Sequence, residues 1–216
     1  MGKVYAEISM SLDGFVAGPD PTLEHPLGEG GEELHEWVYG LATWRERHGL
    51  EGGEENADSK LVAERLAATG AVVMGRRMFS GGQGPWEDDP NADGWWGDEP
   101  PFRVPVFVLT HHAREPQQKD GGTTFTFVTD GVGPAIEQAI AGAGGRDVQV
   151  AGGAMVIQQA LCAGVVHELL IHVAPVLLGG GTALLEGLTE ADVRLGPAQV
   201  TPSPRAVHLS YPIASA

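Results

Sequence analysis

Two adjacent arginines, Arg76 and Arg77, follow a short apolar run and a glycine in "AVVMGRRMFS". The chain has 13 basic residues against 29 acidic ones and a formal net charge of −16. Guanidinium forks hold phosphate through paired N–H donors and keep their charge at any physiological pH. Cations at a helix N-terminus are disfavoured by about 0.3–1 kcal/mol, so two of them where a helix begins suggest an anion that offsets them. Ordinary solvated surface is the plain alternative. A second segment, "VFVLTHHAR", ends an apolar run in Thr110, His111, His112 and Arg114, all able to donate to phosphate. A third, "VQVAGGAMVIQQAL", turns through Gly152 and Gly153 into a helix. Its first N–H groups and positive dipole end suit a pyrophosphate. Such a turn is by itself structural more often than not, and it lacks the full G-x-G-x-x-G fingerprint. Donors at two strand ends plus a glycine turn fit an extended ligand with several phosphates. A dinucleotide answers that description better than a single phosphate ester.

These segments need a frame that sets them side by side. "KVYAEISM" alternates and predicts a strand, followed by turn signals in "SLDGFVAGPDP". "EELHEWVYGLATWRERHG" places Leu34, Trp37, Val38, Leu41 and Trp44 on one helical face. "KLVAERLAATG" predicts a second helix with Gly70 at its C-cap. Strands are expected at 71–74, "VFVLT", "TFTFVTDG", "DVQV" and "HELLIHVAP", with helices at "PAIEQAIAGA" and "AMVIQQALCAG". The tail "DVRLGPAQVTPSPRAVHLSYPI" reads as two antiparallel edge strands. Strand–helix alternation predicts an α/β fold with a mixed, mostly parallel sheet and antiparallel strands at the C-terminus. No internal repeat or linker divides residues 1–216, so one domain is expected. Residues 80–105, rich in Gly, Pro and acid, form a long loop; Trp86, Trp95 and Trp96 predict that it is an ordered flap.

Bulk composition narrows the partners. The acidic balance argues against nucleic acid and against anionic membrane surfaces. No apolar run reaches the roughly 18–20 residues of a membrane helix, and "MGKVYAEISMSLDG" lacks a signal-peptide core. A cytoplasmic location is the expectation. The single cysteine, Cys162, excludes an intramolecular disulfide and a cysteine metal cage, and reads as a small packed helix residue. His167, His172 and His208 lie in strand-like runs without metal-ligand spacing and read as structural. No metal is expected.

The segments "ISMSLDGFVAGPD", "VVMGRRMF", "VFVLTHHAREP" and "VQVAGGAMVIQQALCAGVVHELLIHVAPVLLGGG" occur in the order and spacing of dihydrofolate-reductase-like proteins. The chain resembles the bacterial group that shares its fold with the reductase domain of riboflavin biosynthesis, over residues 3–213. The resemblance implies a three-layer dihydrofolate-reductase-like domain that uses NADPH. It implies that Gly75, Arg76 and Arg77 meet the adenosine-side phosphates, with Arg76 favoured as the one that faces them. Leu109, Thr110 and His111 would flank the adenine and 2′-phosphate. Gly152, Gly153, Ala154, Met155 and Val156 would cradle the pyrophosphate, and Ser9 and Val16 would lie against the nicotinamide.

The Trp-x-x-Pro segment that introduces the pterin-binding acid of true dihydrofolate reductases is absent. Glu33 and Glu36 are available in that helix, though either reads equally as solvated charge. Asp13 is the better candidate for an active-site acid, and Asp-Gly is also a favoured turn pair that needs no chemistry. The implied activity is hydride transfer to a small pterin- or pyrimidine-like heteroaromatic or a carbonyl compound, as in aminouracil or folate reduction. A nucleotide-binding protein of the same fold without turnover is the alternative, and a scaffold without ligand is a third. The apolar "ELLIHVAPVLL" and the resemblance imply a homodimer.

Overall fold

The computed structural model describes residues 2–189 and 193–214. The chain opens with β1 (Val4–Ser11) and β2 (Phe15–Ala17), then a 3-10 turn over Gly31–His35. Three helices follow: α1 (Glu36–Tyr39), α2 (Ala42–Arg47) and α3 (Ala57–Ala68). The middle holds β3 (Thr69–Gly75), α4 (Arg76–Ser80), β4 (Pro105–Leu109), β5 (Gln117–Gln118) and β6 (Thr124–Val128). Then come α5 (Val132–Gly142), β7 (Asp147–Gly152), α6 (Ala154–Cys162), β8 (Glu168–Ala174), β9 (Thr182–Ala183), β10 (Gln199–Pro202) and β11 (Val207–Pro212).

Nine strands form one sheet in the order β10-β11-β8-β1-β7-β3-β4-β6-β5. The five central pairings are parallel, while β10, β11 and β5 add antiparallel margins. Every residue of β3 is buried, as expected for a strand enclosed by parallel neighbours. The expected fold class is therefore the one observed. The apolar run of β8 is consumed between β1 and β11, so it no longer argues for a dimer.

Alternation in β1 sends Val4 and Ala6 to one face, where α5 and α6 close the main apolar core with Val73, Val150, Ile136 and Ile157. The opposite phase, Tyr5, Glu7, Ser9 and Ser11, meets a different layer. There α3 is fastened to the sheet by polar pairs: Asp58 to His208 at 2.8 Å, and Arg65 to Glu168. Further along this face, α4 and residues 81–104 cover β3, β4 and β6 through Phe79, Trp86, Phe125 and Phe127. The tryptophan-rich loop is thus packed, with Trp95 Nε1 donating to Met78 O and Trp86 Nε1 to His112 O.

Three local expectations need correction. The single helix expected over 32–49 is a 3-10 turn and two short helices, because Gly40 interrupts it and Leu41 bridges to Glu54. Gly70 does not cap α3; Thr69 ends the helix and Gly70 is already in β3. Cys162 is exposed at the end of α6 rather than packed. No helix among the described residues is long and apolar enough to cross a membrane.

Candidate active site

The three suspected strand ends lie on adjacent strands and at one level. Met74 pairs with Gly152 across β3 and β7, and Gly75 pairs with Leu109 across β3 and β4. Gly152 adopts φ +125°, a conformation few side chains tolerate. It swings the chain into Gly153, the N-cap of α6, which is exposed and has nothing within 4 Å of where a Cβ would stand. A ligand can therefore reach this backbone. A Cβ on Gly75 would sit 2.9 Å from Val156 Cγ2, so this glycine lets α6 pack close to the strand end. Ala154 and Val156 are buried beneath the helix, and Met155 stands out at 65% exposure.

The arginine pair divides. Arg76, favoured in the sequence as the phosphate-facing member, is enclosed instead. Its guanidinium pairs with Asp89, its Nε donates to Ser80 Oγ at 2.9 Å, and its Cζ lies 3.3 Å from the centroid of Trp86. Burial opposes ionisation of Asp89, yet bonds from Arg76, Ser80 and Asn91 hold its carboxyl below the usual range. Arg77 is exposed beside Gln83, as is His111 at the end of β4. Thr110 is buried and its Oγ1 accepts from His112 N at 3.1 Å. Arg114 is committed to Ala92 O and Asp93, so among the described residues Arg77 and His111 are the exposed basic side chains at these strand ends.

Ser9 and Val16 are both buried. Ser9 Oγ accepts from Trp37 Nε1 at 3.0 Å, while Val16 belongs to the main core. Asp13 is exposed and occupied as an acceptor: Ser11 Oγ at 2.6 Å, Gly179 N at 2.7 Å and Leu178 N at 3.1 Å. The Ser11 hydroxyl, then the Gly179 amide, hold its carboxyl below the usual range. It is an ionised staple between the β1–β2 loop and residues 178–179. Glu33 and Glu36 are also exposed, and Glu36 N donates to Glu33 O within the 3-10 turn.

The sequence reading passed over Glu7 and Gln149. Both are half-buried, and Gln149 Nε2 donates to Glu7 Oε2 at 2.6 Å. They lie on the face of β1 and β7 between the α3 layer and the aromatic layer. Ile8, next to Glu7, lies close enough to Gly152 that a Cβ there would sit 3.6 Å from Ile8 Cδ1. Ile8 points to the main core, whereas Glu7 and Gln149 form a small polar floor on the opposite face of β1 and β7. The signal was present: both side chains share the strand phase of Tyr5 and Ser9, where a core strand ordinarily places apolar groups. Behind Glu7, His172, His208 and Asp58 continue the polar row.

The chain matches the family model of the RibD C-terminal domain over residues 2–209. No curated protein matches it. Among solved structures it is similar to a Shewanella sp. PV-4 protein assigned to riboflavin biosynthesis, at 20% identity and TM-score 0.60, covering 98% of this chain and 99% of that one. A Thermotoga maritima diaminohydroxyphosphoribosylaminopyrimidine deaminase/5-amino-6-(5-phosphoribosylamino)uracil reductase matches at 13% and 0.57. That alignment covers 99% of this chain and 57% of that one. The riboflavin biosynthesis reductase Rib7 of Saccharomyces cerevisiae matches at 15% and 0.52, covering 99% and 89%. These likenesses support the fold, and the family match over nearly the whole length, with the level strand ends and the glycine turn, places this chain in the RibD C-terminal domain family.

Proposed function

We propose that this chain is an NADPH-dependent reductase of a small pyrimidine- or pterin-like substrate. One observation carries the reading: Gly152, Gly75 and Leu109 end adjacent strands at one level, with the N-terminus of α6 and exposed Arg77 and His111 around them. The names of the related structures, two of them reductases of riboflavin biosynthesis, support the same class.

The residues fit a dinucleotide. Gly153 offers an unobstructed backbone, and the first turn of α6 presents N–H groups that no helical carbonyl can satisfy. These would hold the pyrophosphate, with Met155 as an apolar wall. Arg77 and His111, with the backbone around Thr110, would meet the adenosine-side phosphate and favour NADPH over NADH. When bound, a reduced nicotinamide supplies the hydride. The chain's own part is to position the substrate and manage a proton. Glu7 and Gln149 together present a carboxylate acceptor and amide groups to a heteroaromatic ring. Trp37 closes the floor above Ser9. With the β8 run consumed in the sheet, the homodimer expected from the sequence rests on the family resemblance alone, and sedimentation tests it.

The test pairs binding with turnover. Calorimetry should show NADPH bound more tightly than NADH; equal affinities would remove the 2′-phosphate assignment. NADPH should then be oxidised in the presence of pyrimidine- or pterin-type acceptors. Binding without oxidation across that panel would leave a nucleotide-binding protein.

A further inference from the structure

Four side chains on three strands and one helix form a continuous hydrogen-bonded row. Glu7 Oε1 meets His172 Nε2 at 3.0 Å, His172 Nδ1 meets His208 Nδ1 at 2.7 Å, and His208 Nε2 meets Asp58 Oδ1 at 2.8 Å. Each of these three bonds needs one proton between its heavy atoms. Two neutral imidazoles bring one N–H apiece and two carboxylates bring none. The row therefore holds one proton more than neutral rings supply. The two Nδ1 atoms are too close to share a metal ion, whose bonds to each would be about 2.0–2.1 Å.

The surroundings suit a stored proton. Carboxylates stand at both ends of the row, and Trp37 covers the rings with centroids 4.5 Å from His172 and 5.1 Å from His208. An aromatic face attracts a cationic ring. Among the described residues, no lysine or arginine bonds to any of the four. Tyr5 from β1 and Arg65 from α3 face Glu7, and Arg65 is committed to Glu168. From the 3-10 turn, His35 faces His172 with Glu32 beside it, and burial lowers the His35 pKa. Burial likewise lowers that of His208, outweighing the opposing bond from Asp58.

Access to solvent is one-sided. Asp58 and His208 are 1% exposed and His172 4%, whereas Glu7 is 14% exposed and opens on the floor shared with Gln149. We infer that Glu7, His172, His208 and Asp58 form a proton reservoir that discharges through Glu7 to a substrate above Gln149. This rests on the reductase reading. Reducing a C=N or C=O bond adds a hydride, with its electron pair, to carbon and a proton to nitrogen or oxygen. The row supplies only the proton. The His172 Nε2–H bond breaks as a Glu7 O–H bond forms, leaving His172 neutral with Nδ1–H donated to His208. The Glu7 O–H bond then breaks, its electrons stay on the carboxylate, and the substrate gains the proton. Solvent reloads the row through Glu7. Here Glu7 is the candidate catalytic residue, while His172, His208 and Asp58 position and supply it.

Nuclear magnetic resonance of the full chain with 15N-labelled histidine tests this without cofactor. The expected result is a scalar coupling between Nδ1 of His172 and Nδ1 of His208, with the pair gaining or losing one proton jointly as pH changes. In Glu7→Gln the coupling should persist while fast exchange of that ring proton with water is lost. Absence of the coupling at every pH, or unslowed exchange in Glu7→Gln, would overturn the reservoir. If the variant does not fold, the wild-type coupling and joint titration decide. NADPH calorimetry on the same sample separates the two ideas. Coupling without NADPH binding sinks the reductase reading and with it the discharge to substrate, while NADPH binding without coupling sinks the reservoir alone.

Discussion

Arg76 pairs with Asp89 inside the protein, while its neighbour Arg77 points to solvent. Adjacent residues at the start of α4 thus do separate jobs. The Arg76 and Asp89 side chains are 6% and 1% exposed. Removing one partner leaves a buried uncompensated charge, a loss of roughly 3–5 kcal/mol. Arg76→Ala should therefore lower the denaturation midpoint markedly. Arg77→Ala should leave stability within about 0.5 kcal/mol but weaken NADPH by roughly 1.5–3 kcal/mol, the range for a hydrogen bond to a charged group. Denaturant titration and calorimetry on both variants check this. Unchanged NADPH affinity in Arg77→Ala would return that residue to plain surface.

A second prediction concerns the polar fastening of α3. Glu168 accepts from Arg65, Lys3 and Ser210, and these outweigh a burial effect of opposite sign to bring its pKa from 4.5 down to about 2. A depressed carboxyl pKa adds stability that is fully present above the unfolded value and disappears as pH falls through the folded one. Wild type should therefore exceed Glu168→Gln in melting temperature at neutral pH. The gap should narrow below pH 4.5 and close near pH 2. A gap that does not vary with pH would show that the pair acts by shape rather than charge.

The strand ends were legible because glycine turns and paired donors are local, and parallel order follows from strand–helix alternation. The partners that enclose Arg76 were not. Asp89 lies 13 residues away in a loop without periodicity, and only tertiary packing brings it under the guanidinium. The polar row was hidden for the same reason. Glu7, Asp58, His172 and His208 come from opposite ends of the chain, and each looks ordinary within its own segment. The strongest available hint was a carboxylate in the inward phase of β1, a position that demands partners. Asp13 drew attention instead because the resemblance places its loop beside the nicotinamide, although its Asp-Gly pair already read as a turn that needs no chemistry. Helix α1 and α2 misled because five apolar residues kept helical spacing across Gly40, where the backbone breaks.

A third prediction tests the close approach of α6 to β3. The Cβ of Gly75→Ala would lie 2.9 Å from Val156 Cγ2, and a β-branched residue in a helix has little rotamer freedom to yield. Overpacking of this kind costs about 1–3 kcal/mol. The strain falls in the first turn of α6, so NADPH affinity should fall along with stability. Gly75→Ala combined with Val156→Ala should recover part of both. Recovery of stability without affinity would separate packing from cofactor binding.

The last prediction separates Asp13 from the proton chemistry. Three donors hold its carboxylate ionised, and two of them, the amides of Leu178 and Gly179, belong to a loop that pairs through β9 with β2. An acid held in that form is a poor proton donor at neutral pH, and its bonds describe a staple. Asp13→Ala should therefore speed hydrogen exchange at Leu178 and Gly179 while leaving the Nδ1–Nδ1 coupling of His172 and His208 intact. Glu7→Gln should do the reverse, leaving loop exchange unchanged and slowing exchange of the ring proton. Exchange mass spectrometry and histidine NMR on the two variants read both effects. If Asp13→Ala alters the histidine row while the loop stays protected, the acid belongs at position 13 and not at position 7.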